Sequence, residues 1–113
     1  MESKLKKPLQ CLLLSESLID VAMSGEKTIT IREGHRDYKP GKVILACPDV
    51  NWCMEAEVVN VRHTTLNDIT EDEYIKDGFV SRTDLFEGLR DYYPDLDLTS
   101  TVTVIQLKCK SFE

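Results

Sequence analysis

Apolar and polar residues alternate along much of this chain, and the period changes often enough to mark out its elements. Residues 28–32 are the clearest case. Ile29 and Ile31 fall on one face of a strand, while Thr28, Thr30 and Arg32 fall on the other. Before them, residues 9–14 form an apolar run too short for a helix and read as a first buried strand. Leu18, Ile19, Ala22 and Met23 then make the stripe of a short helix. Ser15 or Ser17 would cap it, with Asp20 three residues after Ser17, and Gly25 would end it in the left-handed conformation. The polar stretch 33–41 closes on Pro40-Gly41, a turn signal ahead of a strand over 42–47. After a turn at 48–51, residues 52–63 read as a long strand paired with it. There Cys53, Val59 and Val61 share one side and Met54, Ala56 and Val58 the other, which predicts a curve or a bulge near Val58-Val59. Two helices follow. The first covers 67–76, with Leu66, Ile69 and Tyr74 inward and Asp77-Gly78 as the stop. The second is capped by Ser81, with Leu85, Phe86, Leu89 and Tyr92 as the inner face before Pro94. Residues 100–110 alternate again and read as a final, central strand. The order βα-β-β-β-αα-β predicts an α+β domain with a small, curved, mixed sheet.

Composition narrows the picture without changing it. At 113 residues the chain fits one domain spanning 1–113, with residues 1–8 as a flexible arm. Lys4, Lys6 and Lys7 precede Leu12, Leu13 and Leu14 in the manner of a signal peptide, but Gln10 and Glu16 interrupt the pattern, so the expected location is the cytoplasm. Cys11, Cys47, Cys53 and Cys109 show no C-x-x-C pairing, and each lies in an apolar run where a free thiol behaves as a small buried hydrophobe. His35 and His63 add no ligand spacing. No metal, no cofactor and no membrane partner are expected, and a monomer is the default.

Charge is distributed unevenly. The net charge of −6 argues against a protein that coats a duplex by counterion release. Residues 27–42 nevertheless carry five basic and two acidic side chains, whereas residues 66–97 carry ten acidic and three basic ones. One basic segment on an acidic protein suits a compact anionic or polar ligand better than a long duplex, and a solvated loop with surface ion pairs accounts for it equally well.

Several segments together carry a family resemblance. They are G-E-K-T-I-T-I-R at 25–32, K-P-G-K-V at 39–43, T-L-N-D-I-T-E at 65–71, D-G-F at 77–79, Tyr93-Pro94, and V-T-V-I at 102–105. In this order they resemble the activating-signal-cointegrator homology (ASCH) domain, and within it the small bacterial acetylcytidine amidohydrolases. The resemblance covers about Leu12 to Leu107 and implies a PUA-like small curved β-barrel of about five to six mixed strands with two to three helices packed around it. It also implies binding of a nucleoside or of single-stranded or structured RNA. In the amidohydrolase branch a lysine and a threonine of K-x-x-T act with a downstream acid. Here those are Lys27 and Thr30, with Asp77 where the branch carries glutamate and Glu73 as the alternative. Gly25, Arg32, Arg36, Lys39 and Phe79 are the candidate ligand-binding residues.

The chemistry sets conditions of its own. Thr30 would attack an acyl carbon, Lys27 would take the hydroxyl proton, and Asp77 would supply one to the leaving amine. A lysine acts as a base near neutrality only when desolvated or placed beside another cation. Lys27 and Thr30 are three apart and point to opposite faces of a regular strand, so they meet only if Lys27 belongs to the turn after Gly25 or the strand bulges. Taken alone, Thr28 and Thr30 are ordinary strand formers and Lys27 and Arg32 ordinary surface charges. Tyr38, Trp52 and Phe79 could stack a base or simply pack. Three readings stand: hydrolysis of the amide of an acetylated pyrimidine nucleoside, a non-catalytic RNA-binding or nucleotide-sensing module, and RNA cleavage with Lys27 as a phosphate clamp.

Overall fold

In the computed structural model, which describes residues 10–25 and 28–109, the final strand is apolar on both sides and is covered on both. This strand, β5 (Thr101–Cys109), sends Val102 and Val104 to one face of the sheet and Ile105 and Leu107 to the other. It lies inside a five-stranded sheet of order β1-β3-β4-β5-β2. The other strands are β1 (Gln10–Leu13), β2 (Ile29–Glu33), β3 (Gly41–Cys47) and β4 (Trp52–Thr65). Only the β1–β3 pair is parallel. The sheet forms a mixed half-barrel with three helices around it, the fold expected from the sequence. The predicted arm at 1–8, Lys27 and the side chain of Cys109 lie outside the described residues.

Each face of the sheet has its own core. Leu12, Leu14, Val43, Leu45, Ala56, Val58, Ile105 and Leu107 pack on one face with Ala22 of α1 (Ile19–Ser24). On the other face Ile29, Ile31, Val102 and Val104 meet Leu66, Ile69, Leu96, and Leu85 and Leu89 of α3 (Arg82–Tyr92). Period-two alternation in β2 therefore sends its isoleucines toward the helices and Thr30 toward the barrel. Cys47 is buried as expected, but Cys11 and Cys53 are exposed. Their neighbours Leu12 and Met54 take the inward positions, so alternation turns the two thiols out.

The bulge in β4 falls where the alternation changes. The register with β5 slips between Val58 and Asn60. The extra residue, Val59, is exposed, Val61 continues on the barrel face, and Arg62 is turned to the helix side. There Arg62 Nε and Nη2 grip both carboxylate oxygens of Glu73, at 2.9 and 2.7 Å. Glu73 is also the third residue of a capping box. Its carboxylate accepts the Thr70 N–H at 2.9 Å, and Thr70 Oγ1 accepts the Glu73 N–H at 3.2 Å. This box starts α2 (Glu71–Asp77), four residues later than the apolar spacing suggests, because residues 66–68 form a separate 3-10 turn. α1 is likewise preceded by a 3-10 turn at Glu16–Leu18, and no side chain caps it, so neither Ser15 nor Ser17 serves as its cap. Ser81 does cap α3, through the Asp84 N–H.

Thr103, fully buried, ties down the β2–β3 loop. Its hydroxyl donates to the Gly34 carbonyl at 2.6 Å and accepts the Arg36 N–H at 2.8 Å. The loop's far end is held by Gln10, whose side chain bonds the Lys39 N–H and carbonyl, and by Tyr38, whose hydroxyl donates to the Cys11 carbonyl at 2.6 Å. A loop that leaves β2 at one sheet edge is thus anchored on β1 at the other, across the open side of the half-barrel.

The Arg62 hydrogen bonds, aided by the Thr70 N–H and opposed by burial, hold the Glu73 carboxyl below its ordinary value of 4.5. A carboxylate whose pKa is lower folded than unfolded adds stability that is full above the unfolded value and is lost as pH falls through the folded one. Denaturant midpoints from neutral pH downward should therefore fall below 4.5 in the parent. The Arg62→Ala variant should lose most of that dependence, and Glu73→Ala should cost about 1–2 kcal/mol at neutral pH.

Candidate functional site

β2 is an edge strand, and its outer N–H groups need partners. α2 supplies them with its C-terminus. The Lys76 carbonyl accepts the Thr28 N–H at 3.2 Å, and Asp77 Oδ2 accepts the Ile31 N–H at 3.2 Å. A carboxylate on the last residue of a helix faces the negative end of the backbone dipole, which is locally unfavourable. The hydrogen bond from the strand offsets this and fixes Asp77 against β2. Gly78, at φ 105°, then turns the chain through a left-handed conformation, and the Phe79 N–H returns to the Tyr74 carbonyl at 2.9 Å.

This docking creates a cleft between β1, β2 and the two later helices. Its inner part is a cavity of about 80 Å³ lined by Thr30, Arg32, Asp77, Phe79 and Tyr93, with Leu13 and Leu14 from the opposite sheet edge. Thr30 is only 3% exposed, and its Oγ1 accepts the Arg32 Nε–H at 3.1 Å. Both side chains are on the barrel face of β2, paired with Ile105 and Thr103. A wider outer groove of about 560 Å³ adjoins the cavity and includes Ile75, Gly88 and Asp91. Leu18, Asp77, Phe79 and Tyr92 line both spaces.

Phe79 is seated by a glycine. A Cβ on Gly88, inside α3, would stand 2.5 Å from Phe79 Cε1 and 3.2 Å from Cζ, so the ring lies directly against the helix backbone. Glycine is a poor interior helix residue, and this close approach gives it a reason to be there.

Of the residues singled out from the sequence, the structure gathers Thr30, Arg32, Asp77 and Phe79 at one cleft. Lys27 lies outside the described residues. Gly25 is the left-handed residue closing α1, at φ 82°. Arg36 and Lys39 are not among the residues lining the cavity or the groove. Arg36 Nε donates to the Glu33 carbonyl at 2.8 Å, and Lys39 faces Asp37 at 3.5 Å. Glu73, the alternative acid, is engaged by Arg62 and by its own helix cap on the far face of the sheet.

Sequence reasoning missed Ser15, Tyr92 and Tyr93. Tyr92 was expected on the inner face of its helix, yet it is 62% exposed at the cleft mouth, where its hydroxyl donates to Ser15 Oγ at 3.2 Å. It is the last residue of α3, where the apolar stripe runs out past the sheet. Tyr38 stands near Arg32, and burial raises its hydroxyl pKa while the Arg32 and Arg36 cations partly offset that rise. His35 and His63 stack with ring centres 3.7 Å apart, and His63 Nε2 lies 2.9 Å from the Arg36 carbonyl. Among the described residues no cluster could hold a metal, and no helix is long and apolar enough to cross a membrane.

Solved structures share this architecture. The ASCH domain of Lactobacillus crispatus superposes with a TM-score of 0.71 at 13% identity, over 88% of this chain and 79% of that one. An ASCH protein of Zymomonas mobilis gives 0.66 at 17% identity, over 89% and 67%. A protein of Enterococcus faecalis placed under the DUF984 family model gives 0.68 at 14%, over 93% and 82%. No family model and no curated protein matches the chain. The chain has the ASCH-type fold.

Substituting Gly88→Ala sets a helix-propensity gain of about 1 kcal/mol against an overpacking cost of about 1–3 kcal/mol. The variant is expected to be less stable in urea, and Phe79→Leu in the same chain should recover part of the loss. A Gly88→Ala protein as stable as the parent would show that the contact is not tight.

Proposed function

We propose that this ASCH-fold protein binds a pyrimidine nucleoside in the cleft and hydrolyses its N-acetyl amide. The observation that carries this reading is the convergence of Thr30, Arg32 and Asp77 on one small cavity, with Asp77 anchored to β2 between the other two. The cavity has room for an acetyl group, and the outer groove, within the usual volume range of ligand sites, has room for the base and sugar.

The residues fit the steps of acyl transfer. Arg32 Nε donates to Thr30 Oγ1 and so stabilises the oxygen as its proton leaves. Oγ1 bonds to the acetyl carbon, and the hydroxyl proton passes to Lys27, the base implied by the family resemblance. The carbon–nitrogen bond then breaks as the proton taken up by Lys27 is relayed through the Asp77 carboxylate to the leaving exocyclic amine, and water hydrolyses the acyl-threonine, releasing acetate and restoring the Thr30 hydroxyl.

Charge favours a neutral occupant. The groove is lined by Asp77 and Asp91, and no lysine or arginine is among its described lining residues. A phosphate there would meet two carboxylates. A second reading, a non-catalytic RNA-binding module, draws support from the location of Arg36 and Lys39 on the β2–β3 loop, apart from that acidic groove.

Incubation with N4-acetylcytidine should release cytidine and acetate, detected chromatographically. Thr30→Ala should abolish release, and Asp77→Asn should slow it at least a hundredfold, as loss of an acid–base group does. If the parent and Thr30→Ala are equally inactive on acetylated pyrimidine nucleosides, the hydrolase reading fails. RNA binding at low salt that weakens in Lys39→Ala would then favour the second reading.

A further inference from the structure

Four residues, Leu18, Asp77, Phe79 and Tyr92, line both the outer groove and the inner cavity and so stand at their boundary, and they are not held alike. Asp77 is bonded to the β2 backbone, and the Phe79 ring is pressed against the α3 backbone at Gly88. Leu18 belongs to the 3-10 turn leading into α1 and is partly buried. Tyr92 differs from all three. It is 62% exposed, and its hydroxyl bonds across the cleft to Ser15 Oγ, on the segment that follows β1, at 3.2 Å. Behind these four residues Thr30 is only 3% exposed.

From this arrangement we infer that Tyr92 is the specificity-determining gate of the inner cavity and that Ser15 is its latch. The inference rests on the cleft being the site proposed above. With the latch made, the phenol spans from the end of α3 to the chain after β1, and only a narrow group reaches Thr30. With the latch broken, rotation of the side chain about its own bonds widens the passage, because no core packing opposes it. Fixed walls on one side and a single exposed hydrogen bond on the other make the width of the entering acyl group the selected property. Tyr92 acts on access and not on the reacting atoms, so it is a positioning residue. Removing its hydroxyl should alter which acyl groups are accepted more than it alters the chemistry of acetyl transfer.

Access can be read without turnover. Thr30→Cys places a nearly isosteric thiol at the cavity floor, and its labelling by methyl methanethiosulfonate and by N-phenylmaleimide can be followed by peptide mass spectrometry. Cys47, buried in the barrel, reports any general loosening. In the Thr30→Cys chain the small reagent should react at residue 30 and the bulky one should scarcely do so. Adding Ser15→Ala or Tyr92→Phe should each raise the rate at residue 30 by about two- to tenfold, the range set by losing one exposed hydrogen bond. The two together should do no more than either alone, and Tyr92→Ala should admit the bulky reagent. Unchanged labelling in the latch variants, or an equal rise at Cys47, would overturn the proposal.

Acyl selectivity supplies a second measurement in chains that retain Thr30. The ratio of kcat/KM for N4-butyryl to N4-acetyl cytidine should rise in Ser15→Ala and in Tyr92→Phe. An unchanged ratio would count against the gate. A parent chain that hydrolyses neither compound would sink the hydrolase reading, while the labelling result would still decide the gate.

Discussion

An edge strand carries backbone groups that must find partners, and in this protein the partner is the C-terminal end of α2. The Thr28 and Ile31 N–H groups are accepted by the Lys76 carbonyl and the Asp77 carboxylate. Those two bonds hold the helix end against β2 and stop that edge from pairing with another chain. They also orient the site, because Asp77 is held beside Thr30 and Arg32 by the same hydrogen bond that closes the edge. Fold and site therefore share one contact.

The remaining features brace that contact from both sides. On the helix side the bulge at Val59 turns Arg62 toward Glu73, and this pair secures the first turn of α2 while Asp77 secures its last. A helix of seven residues has little stability of its own, so being tied at both ends is what lets it hold Asp77 in place. On the cleft side Gly88 lets the Phe79 ring lie against α3, which fixes the chain immediately after the helix end. On the barrel side the β2–β3 loop is bound to Thr103, Tyr38 and Gln10, so the two sheet edges that flank the cleft are linked through the loop as well as through the sheet.

The acidic character of the helical half acquires a location in the structure. Asp77 and Asp91 border the outer groove, whereas Arg36 and Lys39 lie on the loop. A charge difference that the linear sequence shows only as two segments becomes a separation between an acidic groove and a basic loop. This is the physical ground for preferring a neutral ligand in the cleft.

Local pattern was enough for most of the elements. The isoleucines of β2, the Pro40-Gly41 turn, the bulge in β4, the Ser81 cap and the left-handed glycines at 25 and 78 all follow from interactions within a few residues, and such interactions are legible in order along a chain. Thr30 and Asp77 were picked out through a resemblance of motifs, and their convergence could not be read from 46 intervening positions of register and packing. Where tertiary contacts competed with local signals, the contacts decided. Glu73 was gripped by Arg62 from β4, and Tyr92 left the inner face of its helix for the cleft mouth. The sequence by itself determined which residues could alternate, cap and turn, since those properties belong to neighbours along the backbone. Only the tertiary structure decided which side chains share the cleft, because that depends on where the two edges of the sheet and the ends of two helices come to rest.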